Sequence, residues 1–321
     1  NYIPSLNLLR GIAALSVCFF HILSVSFNDF HWIKSFFGKG YLGLDLFFII
    51  SGFIIPYSMY QNKYEIKSFP KFLLKRSLRI EPPYIISFLL IIVMMYFVTY
   101  INSHAIYKIN WKQFGLHFLY LNQYFGYDSY TVVYWTLAIE FQFYLLMGVL
   151  FPLIINQRKA ISVFLLIVFC SLVWVLNLHY NWFIFQYIYL FIAGILIFLY
   201  TVKHISLPYF ISLFIVVLFL MYFKNGLDVV LTAIFGCIAI LTIKKEWKIT
   251  NFLGKISYSF YLTHMEAAGW FIFFVRETIT NDIVLRITAT LFAIAFAVGF
   301  YFLFERPALQ LSKKIRYGKN H

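Results

Sequence analysis

Runs of about 20 apolar residues, separated by short charged or Pro/Gly-marked breaks, recur along the whole sequence. Coiled as a helix, a run of that length matches the hydrocarbon core of a bilayer, about 30 Å thick. The runs read as spans at 6–27, 41–60, 84–101, 134–155, 160–177, 183–202, 208–223, 226–243, 257–275 and 283–304. Helices satisfy every backbone group within their own segment, and the alternating pattern of a barrel is absent from the sequence. A water-soluble core of 321 residues could not hide 40 Phe and 25 Tyr in a chain that is 62% hydrophobic and 12% charged. The expected fold is therefore an all-α integral membrane protein, one bundle of about ten transmembrane helices. The run WKQFGLHFLYL, 111–121, is too short to span and is expected in the interface or as a re-entrant segment.

Of the 26 Lys and Arg, 18 fall in one set of alternating loops and the C-terminal tail, and 7 in the other set, with Arg10 inside the first span. The positive-inside rule then puts both termini in the cytoplasm. The same distribution explains the net charge of +14 through anionic lipid and topology, with no nucleic-acid partner. Residues 1–321 read as a single transmembrane domain with a short basic tail from 305, and the first span is too long and uninterrupted for a cleaved signal peptide. Cys18, Cys170 and Cys237 sit in separate apolar spans without CxxC spacing, so they read as packing residues, and neither a disulfide framework nor a metal site is expected.

The first span, LNLLRGIAALSVCFFHILSVSF, carries Arg10 and His21. Eleven residues make about three helical turns and rise about 16 Å, so the two share a face. Arg10 could be an interfacial anchor and His21 a histidine bonded between helices. Ionisable groups in a bilayer are costly, however, and so are functional by default. Counted from the outer end of its span, His21 lies at the level of Glu140 in VVYWTLAIEFQFYLL, roughly 9 Å down, with Asp45 of YLGLDLFFIISGF slightly shallower. An imidazole with one or two carboxylates at matched depth makes a general base, and the same residue types make a transporter's proton relay. In SFPKFLLKRSLRIEPPY, Arg76 and Arg79 stand three apart, with Lys71 and Lys75 nearby, at the cytoplasmic mouth of a span begun by Pro82 and Pro83. Any cytoplasmic loop is basic, which accounts for Lys63, Lys67 and Lys71. The close arginine pair points instead to an anionic ligand such as a phosphate.

The pair Arg10/His21, the runs GLDLFFIISGF, RSLRIEPPY, WTLAIEFQFY and GKISYSFYLTH and the terminal FERP, in that order, together resemble the acyltransferase-3 family of polytopic membrane acyltransferases. The resemblance implies transfer of an acyl group, in the first instance acetyl, from cytoplasmic acyl-CoA to a hydroxyl of a cell-envelope glycan or lipid-linked saccharide at a bacterial cytoplasmic membrane. It implies the stand-alone type, since the chain has no room for the SGNH hydrolase-like domain many members carry. On this reading Arg76 and Arg79 hold the phosphates of coenzyme A, Arg10 lines the approach, and His21 takes the proton of the acceptor hydroxyl with Glu140, and also Asp45, orienting its ring. Tyr258, Tyr261 and His264 form a stripe three residues apart that faces either the bundle or the donor channel. Ser51, Gly52 and Trp135 read as packing or interface residues, and Glu305 as a partner of an arginine. The alternatives are a transporter or flippase, against which stands the absence of an inverted repeat from the sequence, and a non-catalytic assembly subunit that would not depend on His21.

Overall fold

The computed structural model describes residues 3–25, 31–156 and 183–317, together with Ile167, Val168, Ser171, Leu172 and Val175. The regular secondary structure of the described residues is all helical, and six helical segments are long and apolar enough to cross a membrane: Pro4–Ile22, His31–Gln61, Ile66–Ser103, Trp135–Ile155, Leu207–Asn225 and Asp282–Lys314. The expected span 160–177 lies outside the described residues apart from five positions. We number the helices α1 (Pro4–Ile22), α2 (His31–Gly38), α3 (Leu42–Gln61), α4 (Phe69–Ser103), α5 (Trp111–Phe118) and α6 (Trp135–Asn156). After the undescribed stretch come α7 (Ile188–Thr201), α8 (Leu207–Asn225), α9 (Leu227–Thr242), α10 (Lys248–Val275), α11 (Asp282–Phe300) and α12 (Arg306–Lys314). A π-helical turn, Tyr301–Glu305, joins the last two.

Helix α7 is the centre of the bundle. Every residue from Ile188 to Leu199 is buried, as expected of a helix apolar on all sides. With 14 residues it is shorter than the bilayer core, and neighbouring helices shield it. Its closest partner is α3, and glycine makes the approach possible: a Cβ on Gly194 would strike the Ile49 carbonyl and the Gly52 backbone, and one on Gly52 would strike the Phe191 carbonyl. Helix α10 packs in the same manner against α1, where Gly254 meets the backbone of Asn7. Close by, the Asn7 amide donates to the Asn251 side-chain oxygen at 2.8 Å.

One expectation changes. Helix α4 runs 35 residues without a break, so Arg76 and Arg79 belong to the same rod as the apolar span, and Pro82 and Pro83 lie inside it. Proline here removes two intrahelical donors without ending the helix, and the Tyr258 hydroxyl clamps the adjoining turn by donating to the Ile80 carbonyl at 2.8 Å. Helix α5 has eight residues, too few to span, and only His117 of them is buried; its ring meets the Tyr84 hydroxyl through Nδ1 at 3.1 Å and accepts from the Tyr130 N–H through Nε2 at 3.2 Å.

The two ends of the bundle differ in character. One gathers the start of α1, the turn before α4 and the start of α10, and there Ser58 and Lys75 meet Tyr317, so the described parts of both chain ends share it. The other gathers the end of α1, where Arg286 donates to the Ile22 carbonyl, and an ion pair of 2.9 Å between Lys39 and Asp228.

Candidate active site: an arginine-lined cavity and an imidazole pair

A cavity of about 320 Å³ opens among α1, α3, α4, α6 and α10 in the basic half of the bundle. Arg10, Arg76 and Arg79 line it together with Glu140, Tyr144 and Tyr258. The Arg10 guanidinium is within electrostatic reach of Arg79, Glu305 and Glu140. Three guanidiniums therefore share a low-dielectric space with one lining carboxylate, and the surplus charge calls for an anion.

Arg76 shows that demand at one atom. Only 7% of it is exposed, its guanidinium lies over the rings of Phe72 and Tyr144 at 5.5 and 5.6 Å, and its Nε is buried without a hydrogen-bond partner. A buried N–H without an acceptor is costly, so this atom is one that a ligand oxygen would satisfy. Glu140 does not fill that role. Its Oε1 accepts from the Tyr144 hydroxyl at 2.6 Å and from the Ser51 hydroxyl at 3.2 Å, which fixes the carboxylate against α3 and its own helix.

The sequence-predicted residues fall into two groups. Arg10, Arg76, Arg79, Glu140, Tyr258 and Tyr261 line the cavity. His21 and His264 lie beyond it, their rings 5.5 Å apart across the α1–α10 contact. Among the described residues His21 makes no hydrogen bond to Glu140 or Asp45. Asp45 is buried in the first turn of α3, where the helix dipole favours a carboxylate, within electrostatic reach of Tyr41 and Tyr187.

Tyr261 links the groups. Its hydroxyl meets Thr136 at 2.7 Å and donates to the Val133 carbonyl at 3.2 Å, and its ring stands edge-on to Phe47, so the three roof the cavity. Its own carbonyl is 2.9 Å from His264 Nδ1. A carbonyl can only accept, so Nδ1 carries the proton and Nε2 of His264 is left as a lone-pair nitrogen, fully buried and without a partner.

Residues that sequence reasoning treated as packing, or passed over, help build the site. Ser51 and Tyr144 hold Glu140, and the four-residue spacing of Glu140 and Tyr144 was a signal for their contact. Glu305 accepts from the Ser259 N–H at 3.0 Å and from its hydroxyl at 2.5 Å, with Arg10 and Arg79 in electrostatic reach and no ion pair formed. The π-helical turn at Glu305 aims it there; its FERP setting carries no signal for that turn. No group of three or more His, Cys, Asp and Glu among the described residues is arranged to hold a metal ion.

Comparison with known proteins bears on this arrangement. The chain is 29% identical over 159 residues to the peptidoglycan O-acetyltransferase OatA of Listeria monocytogenes, covering 46% of this chain and 24% of that one. It is 29% identical over 169 residues to the O-acetyltransferase OatA of Staphylococcus aureus strain NCTC 8325, covering 49% of this chain and 25% of that one. The matched stretch thus spans about a quarter of the length of these relatives. No solved structure matches the chain. The acyltransferase-3 family model, described as an acyltransferase domain, matches residues 3–306, nearly the whole length, and the chain belongs to that family.

Proposed function

We propose that this chain is a multi-pass O-acyltransferase of a bacterial cytoplasmic membrane, moving an acyl group, in the first instance acetyl, from cytoplasmic acyl-CoA to a hydroxyl of an envelope glycan or lipid-linked saccharide. The observation that carries the reading is the unsatisfied N–H of Arg76 in a cavity where three arginines converge inside an apolar bundle. Phosphate oxygens supply the acceptors that such a guanidinium set lacks, and Arg recognises them better than Lys. The cation asymmetry of the loops favours a cytoplasmic position for the arginine end of the bundle, the side where acyl-CoA is found. The apolar wall contributed by Leu44, Phe47 and Ile50 suits the pantetheine arm. The two relatives are named O-acetyltransferases, one of them for peptidoglycan, which favours acetyl as the group and a glycan as the acceptor.

In this reading His21 takes the proton of the acceptor hydroxyl as its oxygen attacks the thioester carbonyl. The carbon–sulfur bond breaks and the leaving thiolate accepts a proton. General-base catalysis of this kind contributes about 100-fold to 10,000-fold. The test is to incubate the purified full chain in vesicles with radiolabelled acetyl-CoA and peptidoglycan fragments, alongside His21→Gln. Glutamine keeps a polar side chain of similar size but cannot take a proton, so labelled glycan should fall by at least that factor while acetyl-CoA binding persists. Parental transfer by His21→Gln would remove the histidine from the reaction, and no transfer by the parent would remove the acceptor class.

A further inference from the structure

At the end of the bundle opposite the arginines, α4, α10 and α11 enclose a second cavity of about 580 Å³. Its wall is apolar, built from Leu90, Ala267, Trp270 and Phe271, and its rim residues Val93, Phe274, Phe292 and Phe296 are exposed on the outer faces of their helices. In a bilayer those faces meet lipid, so the mouth opens sideways into the membrane. The volume is that of a ligand site.

One charged residue reaches this space. Glu266 is 9% exposed, and its Oε2 is buried without a hydrogen-bond partner. A carboxyl group left so in an apolar wall is costly, and a hydroxyl ligand removes the cost whether the acid is ionised or protonated, since a hydroxyl both donates and accepts. Glu266 also lines a third cavity, of about 320 Å³, under the loops that follow α4 and α5. Thr99, Tyr107, Tyr130 and Thr131 supply polar groups there. An apolar arm open to lipid and a polar arm under the loops thus meet at one unpaired carboxyl oxygen.

We propose that this pair of cavities binds a membrane lipid with a hydroxylated headgroup, its aliphatic chain in the larger arm, one headgroup hydroxyl on Glu266 and the remainder of the head against the threonines and tyrosines. A water-soluble saccharide has no chain to fill the first arm, and a plain hydrocarbon leaves Oε2 of Glu266 unpaired. The site lies on the α4 side of α10, away from His264, and it stands independently of the acyl-transfer reading.

A β-glucoside with a twelve-carbon chain ending in a diazirine is a direct probe. The full chain in phosphatidylcholine vesicles is irradiated with it, and the adducts are mapped by mass spectrometry. Adducts are expected to concentrate on 263–275 and 90–93. Unlabelled dodecyl glucoside should compete roughly tenfold better than its permethylated analogue, the factor for one lost hydrogen bond. Val93→Trp, at an exposed rim position where the fold tolerates bulk, should close the mouth and remove most of the labelling. Glu266→Met, which keeps the length of the side chain and loses its polar end, should erase the preference for the free glucoside. Adducts spread evenly over the lipid-facing sides of α8 and α9, or undiminished labelling of Val93→Trp, would overturn the site. Equal competition by the permethylated compound with the parent chain would overturn its hydroxylated occupant.

Discussion

Arg76 keeps a buried N–H without an acceptor, and its environment bears on what it would hold. Two aromatic rings hold the plane of its guanidinium, so the fork is oriented before any ligand arrives. Arg76→Ala should weaken acyl-CoA binding by about 1–3 kcal/mol, read by calorimetry on the purified protein, while secondary structure stays parental. Binding equal to that of the parent would reduce Arg76 to a topology signal. Glu140 is tested differently, because it sits among the arginines. Glu140→Gln keeps acceptors for Ser51 and Tyr144 but removes the charge that balances Arg10, so the KM for acyl-CoA should move while kcat stays within about threefold. A collapse of kcat with unchanged KM would mean that Glu140 reaches the reacting atoms. Here the sequence was legible up to a point. Helical spacing was enough to put Arg10, Arg76 and Arg79 near one mouth. Counting residues from the start of a span, however, misjudged Glu140, because the chain ahead of α6 is already sunk into the bundle at Tyr120, Val133 and Tyr134. Depth also carries no information on rotation, and the rotation of α10 is what brings His264 to His21.

Among the elements, α4 and α7 show what hydropathy can and cannot locate. The apolar part of α4 was plain in the sequence, whereas its continuity through Pro82 and Pro83 was not, since a proline pair ordinarily marks a boundary. The clamp from Tyr258 lies 178 residues away, beyond the reach of any local pattern. Tyr258→Phe should therefore cost about 1–3 kcal/mol of stability by leaving the Ile80 carbonyl without that donor, measured by denaturant unfolding in micelles. A change within about 0.5 kcal/mol would show that the carbonyl finds another partner. For α7 the apolar run was legible but its role was not: it reads as a span, yet it is a buried strut pressed against α3 through Gly52 and Gly194. Gly194→Ala places a methyl group against backbone that cannot turn aside, and a loss of at least about 1–3 kcal/mol is expected in the same assay. Parental stability would mean that the two helices can part without cost.

For the molecule as a whole, the loop charges and the packed ends make one joint statement about sidedness. The start of α1 and Tyr317 lie at the arginine-rich end, and Lys67 stands on the same side, while Asp128 is exposed at the other. Cys18 and Cys237 are buried, and with Cys170 changed to Ser a new thiol can be read against a quiet background. A membrane-impermeant maleimide added to intact cells should label Asp128→Cys and miss Lys67→Cys; the reverse pattern would invert the bundle and put the arginine cavity on the wrong side for a cytoplasmic donor. The unbroken course of α1 adds a constraint of another kind. Arg10 and His21 are fixed on one rigid rod, about 16 Å apart along its axis. Such a rod acts as a ruler: a thioester whose charged end is held at Arg10 can reach His21 only if its arm has that length. On the proposed reading, selection would fall on the reach of the donor more than on its acyl group, so a short acetyl thioester without a phosphate-bearing tail would be a poor donor even though it carries the same reactive carbonyl.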